Sequence, residues 1–287
     1  VLCFYFIPLP LSAAGIIQYK AIIETEPGPY VLENATSVTD AVYSDQCSGV
    51  VVYSLNAGDE PPYVIENLPE LNEKVLILSN VTTGYIGCRE LYLFGDAQMN
   101  TGNMILSGSS ADGTPKLALT EDDLTDYESL QKALEGAWKK YTITANTDID
   151  YPLSCEDLEI NNGVTLTIHA PSEGDGTNGI AVSHSLIVNG NGTLRAEDGQ
   201  TLEIREGCTT VTGVTLYQDD GITLFENYGD MTETFEYHAG DEKWVRRPTG
   251  EPPHDHPNDN AFVVSFDDLT PDNGHSPEVK YQIAGGD

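Results

Sequence analysis

The chain has 287 residues and a formal net charge of −33, from 46 Asp and Glu against 13 Lys and Arg. So acidic a balance repels a phosphate backbone and an anionic lipid surface, which argues against nucleic-acid and membrane-surface partners. It favours solubility and carboxylate-rich turns able to hold a hard cation such as Ca²⁺, although a solvated acidic surface without an ion is the simpler expectation.

The chain opens on an apolar run that ends in small residues, with Ser12 and Ala14 at the −3 and −1 spacing of an export signal. Residues 1–14 are read as the remnant of such a signal. The run is too short to span a bilayer, which needs about 20 apolar residues, and no other stretch is apolar enough to do so. Start methionine and basic leader are missing, so the chain reads as a fragment of a longer frame. Cys3 leaves with the signal. Cys47, Cys88, Cys155 and Cys208 remain, open to two disulfides of unknown pairing or to burial as free thiols.

Residues 15–118 carry short β-rich runs at 50–55, 63–66, 75–78, 90–94 and 104–106, separated by Asn, Gly, Asp and Pro clusters. Such regular spacing predicts an all-β unit, either coils of a solenoid or a small sandwich. The period then changes. Thr125 followed by Glu128 has the form of a capping box, and Leu130, Ala133, Leu134, Ala137 and Trp138 recur at helical spacing. This predicts a helix over 127–139, placed to cover the exposed apolar end of a solenoid on its C-terminal side.

From residue 157 onward a short pattern is written three times. Leu158, Leu186 and Leu216 each precede a Thr-Leu pair, Thr165-Leu166, Thr193-Leu194 and Thr223-Leu224, and the copies start 28 and 30 residues apart. A fixed period of this size marks a solenoid. Strand side chains repeat every two residues, so the leucines share a face with Ile160, Ile168, Val188, Ala196, Leu202 and Ile204. Stacking superposes Leu166, Leu194 and Leu224 as an inner ladder, with Thr165, Thr193 and Thr223 outside it. The arithmetic is that of an all-β fold: a right-handed parallel β-helix of about three coils over 119–230, with the helix as its N-terminal cap. Beyond it come a hairpin at 231–247, a Pro- and His-rich linker at 248–260 and the start of a truncated β module at 261–287.

The runs Leu130-Gln-Lys-Ala-Leu134, Tyr141-Thr-Ile-Thr-Ala145 and Gly163-Val-Thr-Leu-Thr-Ile168 resemble a known group. It is that of the parallel β-helix modules, with a pectate-lyase-like fold, in secreted and surface proteins of Gram-positive, often gut-dwelling, bacteria. The resemblance covers residues 124–228, a little over a third of the chain. It implies a bacterial protein, secreted or held at the cell surface. Modules of this kind serve as adhesins, stalks and carbohydrate-active enzymes alike, so the likeness specifies architecture rather than activity.

Three sets of residues bear on chemistry. Asp219 and Asp220 fall before the third Thr-Leu pair, and the resemblance implies that adjacent aspartates can act as general acid and base. The companion Gly-His-Gly and Arg-x-Lys motifs are absent, however, and Asp-Asp-Gly is ordinary turn chemistry. A lyase would need Ca²⁺ and a base, for which the repeats offer only Arg195 and Arg205. Ile187, Tyr217 and Phe225 have outward parity, suited to stacking on sugar rings or to packing beneath a loop. Asp175 and Asn178 offer oxygens, and His254 and His256, with His275 downstream, have a metal-ligand spacing inside a solvated linker.

The leading expectation is a non-catalytic extracellular surface or adhesin-like protein, with a glycan or a host or bacterial surface as its ligand. The alternative is a polysaccharide lyase or glycoside hydrolase acting on acidic polysaccharide. Oligomeric state is not legible.

Overall fold

Alternating apolar residues become strands throughout the computed structural model, which describes residues 17–26, 28–43, 46–55, 63–65, 71–172 and 177–248. The export-signal run, Asp175, the linker histidines and the expected strands after 260 lie outside these residues. The first half holds β1 (Gln18–Glu24), β2 (Tyr30–Ala35), β3 (Cys47–Tyr53), β4 (Tyr63–Ile65), β5 (Leu71–Ser79), β6 (Val81–Gly84), β7 (Cys88–Phe94), β8 (Gln98–Asn100) and β9 (Met104–Ser107). The second holds β10 (Lys140–Ile143), β11 (Thr147–Ile149), β12 (Leu153–Ile160), β13 (Thr165–Ile168), β14 (Gly179–Val188), β15 (Thr193–Ala196) and β16 (Thr201–Ile204). It ends with β17 (Thr210–Thr212), β18 (Leu216–Tyr217), β19 (Glu233–His238) and β20 (Lys243–Arg246). Two short helices complete the set, α1 (Val38–Val42) and α2 (Tyr127–Leu134).

The fold is all-β, with parallel strands prominent in every sheet. A five-stranded sheet has the order β2-β1-β3-β5-β7, parallel from β3 to β7. Its central strands are buried on both faces, as Val50, Val51 and Val52 at 0% exposure require, which is why they read as an unbroken apolar run. Val50, Val52, Leu76, Leu78, Leu91 and Leu93 face an inner core that α1 joins through Val38 and Ala41. Ile22, Val51, Tyr53, Ile77 and Phe94 face the opposite way and pack against Leu119, Leu124 and Leu130.

That second face corrects the expected role of the helix. Leu130 of α2 lies over the five-stranded sheet rather than over the end of the repeats. The helix ends at Leu134, ahead of Gly136, and Gly136 and Ala137 donate to Ala133 O and Leu134 O in a tightening turn. Its N-cap is Asp126, whose side chain accepts from Ser129 N at 2.9 Å. Thr125 instead donates its hydroxyl to Asp122 O. The acidic side chain also suits the positive end of the helix dipole.

A long mixed sheet, β18-β20-β19-β16-β14-β12-β10-β9-β8-β6-β4, runs through both halves of the described chain, and a three-stranded parallel sheet, β11-β13-β15, lies beside it. Two copies of the repeated pattern stack in register. Leu158 pairs with Leu186, Leu166 with Leu194 and Thr165 with Thr193. The six further residues assigned to the inner face are all buried, as are Leu158, Leu166, Leu186 and Leu194.

The third copy does not continue the stack, and no closed three-coil solenoid is formed. Val211 of β17, not Leu216, takes the position beside Leu186. Gly213 comes next at φ +75°, where an added Cβ would lie 2.0 Å from Val188 O, so the chain can turn there only with glycine. Leu216 then pairs with Trp244. Thr223 and Leu224 fold back on β18: Phe225 N donates to Leu216 O and Gln218 N to Thr223 O. Asp220 secures this turn by accepting from Ile222 N, Thr223 N and Thr223 Oγ1 at 2.8, 2.7 and 2.6 Å. Leu224 is left 52% exposed. The edge of β15 that Leu224 was expected to cover is met by Trp244, whose indole Nε1 donates to Leu194 O at 3.1 Å. The predicted hairpin is present as β19–β20, with β19 antiparallel to β16.

Candidate functional site

The face of the five-stranded sheet that α2 covers is longer than the eight-residue helix. Beyond the contacts of Leu130, the two surfaces part and leave a cleft of about 450 Å³. Outward residues of the strands form one wall: Ile22, Glu24, Ser48, Val75, Glu90 and Tyr92. Tyr127, Gln131, Leu134 and Glu135 form the other, all on one stripe of the helix or just past its end. Tyr30, at the start of β2, and Arg89 stand at the rim.

The aromatic residues give the cleft its character. The rings of Tyr30 and Tyr127 are 4.8 Å apart between centroids and inclined at 35°. Tyr92 donates its hydroxyl to Glu90 Oε2 at 3.0 Å, and Arg89 Nε lies 3.7 Å from Glu90 Oε1. Burial raises the Tyr92 and Tyr127 hydroxyls above the ordinary phenol value, and the neighbouring Glu90 adds to the effect at Tyr92. Both phenols are therefore neutral donors across the physiological range. Apolar ring faces beside a carboxylate, a guanidinium and an amide make a concave site with few, placed polar groups. A sugar ring, with C–H bonds on one face and hydroxyls at its edge, matches that combination: electron-rich tyrosine faces receive the C–H face and the polar side chains receive the hydroxyls.

The residues singled out from the sequence are dispersed. Asp220 is committed to its turn, and those three hydrogen bonds hold its carboxyl below the usual range. Arg205 is 2.6 Å from Glu203 and reaches Ser154 Oγ at 3.1 Å, while Arg195 Nε donates to Thr167 Oγ1 at 3.3 Å. Neither arginine is bonded to Asp219 or Asp220, so the acid-base set suggested by the resemblance is not assembled. Phe225 is a core residue, 5% exposed and edge-on to Phe235, which removes it from any sugar-binding surface. Ile187 and Tyr217 are half-buried on different strands, and Lys243 Nζ sits 5.1 Å over the Tyr217 ring. Asn178 is buried, donating to His169 O from its amide and to Gln200 Oε1 from its backbone, so it is a loop anchor. Among the described residues no cluster of His, Cys, Asp and Glu has the form of a metal site. Cys47, Cys88, Cys155 and Cys208 are free thiols.

One polar cluster escaped sequence reasoning. Asp157, wholly buried, accepts from Trp138 Nε1 at 2.5 Å, His184 Nδ1 at 2.7 Å and Ser185 Oγ at 2.5 Å. Its members suggest a hydrolytic triad, but Ser185 donates to Asp157 and not to His184. The nucleophile–base contact such chemistry needs is absent, and the cluster is a structural hub.

The tyrosine cleft could not be read in advance, because its residues run from 22 to 135 and meet only through β1–β3–β5–β7 pairing. Among the described residues, no helix is long and apolar enough to cross a membrane. No protein-family model, curated protein or solved structure matches the chain.

Proposed function

We propose that the protein is an exported, non-catalytic carbohydrate-binding protein of a bacterial surface, and that the Tyr30–Tyr92–Tyr127 cleft is its sugar seat. The body is read as a short right-handed parallel β-helix. The parallel ladders β10–β12–β14 and β11–β13–β15, with Leu158 on Leu186 and Leu166 on Leu194, support that reading. Export is supported by the apolar run ending at Ser12 and Ala14. The observation that carries the function is the Tyr30–Tyr127 ring pair, set at 4.8 Å in a cleft with Tyr92, Arg89 and Glu90.

A glycan array followed by calorimetric titration tests the proposal. The whole protein is expected to retain one or more neutral oligosaccharides. Tyr127→Ala is expected to weaken binding at least tenfold, about 1.4 kcal/mol, while Phe at the same position keeps most of it. An array with no specific retention, or a Tyr127→Ala protein that is folded and binds as before, overturns the assignment.

A further inference from the structure

A second aromatic cleft, of about 380 Å³, opens where β9 and β10 meet the turn after β11. Its floor is apolar and buried, made by Met99, Met104 and Leu153 at 2–4% exposure. Tyr85, Tyr141 and Tyr151 stand around it. Tyr85 is 72% and Tyr151 48% exposed, so both rings are open to an occupant. Thr101, Asn103 and Thr147 complete the mouth. The backbone carbonyl of Asn103 accepts from Thr144 N and Ala145 N, which fixes the β8–β9 turn against the end of β10. The Asn103 side-chain amide is exposed and bonded to no described residue.

The charge of the lining separates this cleft from the first. None of the described residues that form it is ionisable at neutral pH, in a chain of net charge −33. The first cleft is flanked by Glu24, Glu90, Glu135 and Arg89. The lining itself offers a cationic occupant no carboxylate, Asp150 beside Tyr151 standing outside it, and a polyanion such as a uronan would be repelled by the protein as a whole. Thr101 Oγ1 and Thr147 Oγ1 donate to Met104 O and Ala145 O at 3.1 and 2.8 Å, so a purely apolar occupant would leave unused the acceptor lone pairs of the two hydroxyls and the Asn103 amide. An uncharged ring with one apolar face and a hydroxyl edge satisfies both sets of groups.

We infer that the Tyr85–Tyr141–Tyr151 cleft is a second binding site, for an uncharged sugar residue of a glycan chain. The inference takes its class of ligand from the reading of the protein as a glycan binder, but it stands on different residues and fails separately. If both clefts engage one polysaccharide, the second contact is intramolecular and raises retention without a tighter individual site.

Tyrosine nitration mapped by mass spectrometry, with and without cellohexaose or xylohexaose, tests it on the unmodified protein. Tyr43, 82% exposed and outside both clefts, is the internal control. The expected result is slower nitration of Tyr85 and Tyr151, by about fivefold or more at saturation, with Tyr43 unchanged. Tyr85→Ala combined with Tyr151→Ala should lower the binding stoichiometry from two to one, leaving protection at Tyr30 and Tyr127 intact. Protection confined to Tyr30 and Tyr127 overturns the second site and leaves the first standing. Protection confined to Tyr85 and Tyr151 does the reverse. No protection of either pair with any neutral hexamer overturns both.

Discussion

Trp138 and Asp157 are joined by an indole N–H to carboxylate hydrogen bond of 2.5 Å across 19 residues of chain. The bond fixes the point at which the chain leaves the covering helix α2 and enters the long sheet. On one side of it Lys116 Nζ lies 3.8 Å from the Trp138 ring centroid, and on the other His184 meets the ring edge-on. The Asp157 backbone N–H is bonded to Lys139 O, so backbone and side chain of one residue tie the same junction.

Asp157→Ala is therefore expected to be among the most destabilising single changes in the chain. It strands three donors, of which Ser185 is itself buried and cannot recover water. Lost charge-assisted bonds and unsatisfied groups together should cost about 3 kcal/mol. Trp138→Phe removes one donor and keeps the ring, and should cost about 1 kcal/mol. Urea midpoints for the two single variants and the double variant measure this. Because the residues are in contact, the double change should cost less than the sum of the singles.

A pH effect is expected at the C-terminal ends of the strands of the three-stranded sheet. His169 stands between Glu197, 2.9 Å from Nδ1, and Asp148, 3.3 Å from Nε2. The hydrogen bond to Glu197 first, and that to Asp148 second, raise the imidazole above its ordinary value of 6.5. Its contribution to stability is complete below that value and is lost as the pH rises through the higher folded value. Glu197 is held below its ordinary 4.5, first by the Ala170 N–H and then by His169, so its contribution is complete above 4.5 and fades as the pH falls. The two overlap fully between about pH 4.5 and 6.5. Comparing denaturation of the parent protein with His169→Gln should give the largest difference in that window and a shrinking one above it. A difference independent of pH would show that the ring acts only by packing. All three groups are well exposed, so the effect should be small and weakened by salt.

How much of this was legible in the sequence depends on how local each signal was. Leu158, Leu166, Leu186 and Leu194 announced their own burial, because period-two alternation and a fixed spacing are properties of neighbouring residues. Val50-Val51-Val52 likewise announced a strand, but not that both of its faces are buried. Tyr127 and Leu130 announced a helix but not what it covers, since the partners Ile22, Val51 and Ile77 are brought to it by strand pairing. The cleft tyrosines were invisible for the same reason. Tyr30, Tyr92 and Tyr127 have no common spacing, and only the sheet order sets them round one cleft. The third repeat misled in the opposite way. Asp220, Gly221 and Thr223 satisfy one another within a few residues, and that tight turn prevailed over stacking on the previous copy.

The third copy can be tested against the first two by removing the same side chain from each. Leu166 and Leu194 lie in one in-register ladder at 0% and 6% exposure, whereas Leu224 is 52% exposed. Truncating a buried leucine removes transfer free energy and leaves a cavity, so Leu166→Ala should cost about 2–5 kcal/mol and Leu194→Ala a similar amount. Leu224→Ala should stay within about 0.5 kcal/mol of the parent, as surface changes do. The ladder's open side supplies a second comparison. Trp244→Phe keeps the packing against Leu216 but removes the N–H that meets Leu194 O, a buried carbonyl with few alternatives, and should cost about 1–2 kcal/mol. If Leu224→Ala proved as damaging as Leu194→Ala, with Trp244→Phe neutral, the third Thr-Leu pair would have to stack on β15 after all, with the hairpin displaced from that edge. Equilibrium denaturation of the four variants decides between the arrangements.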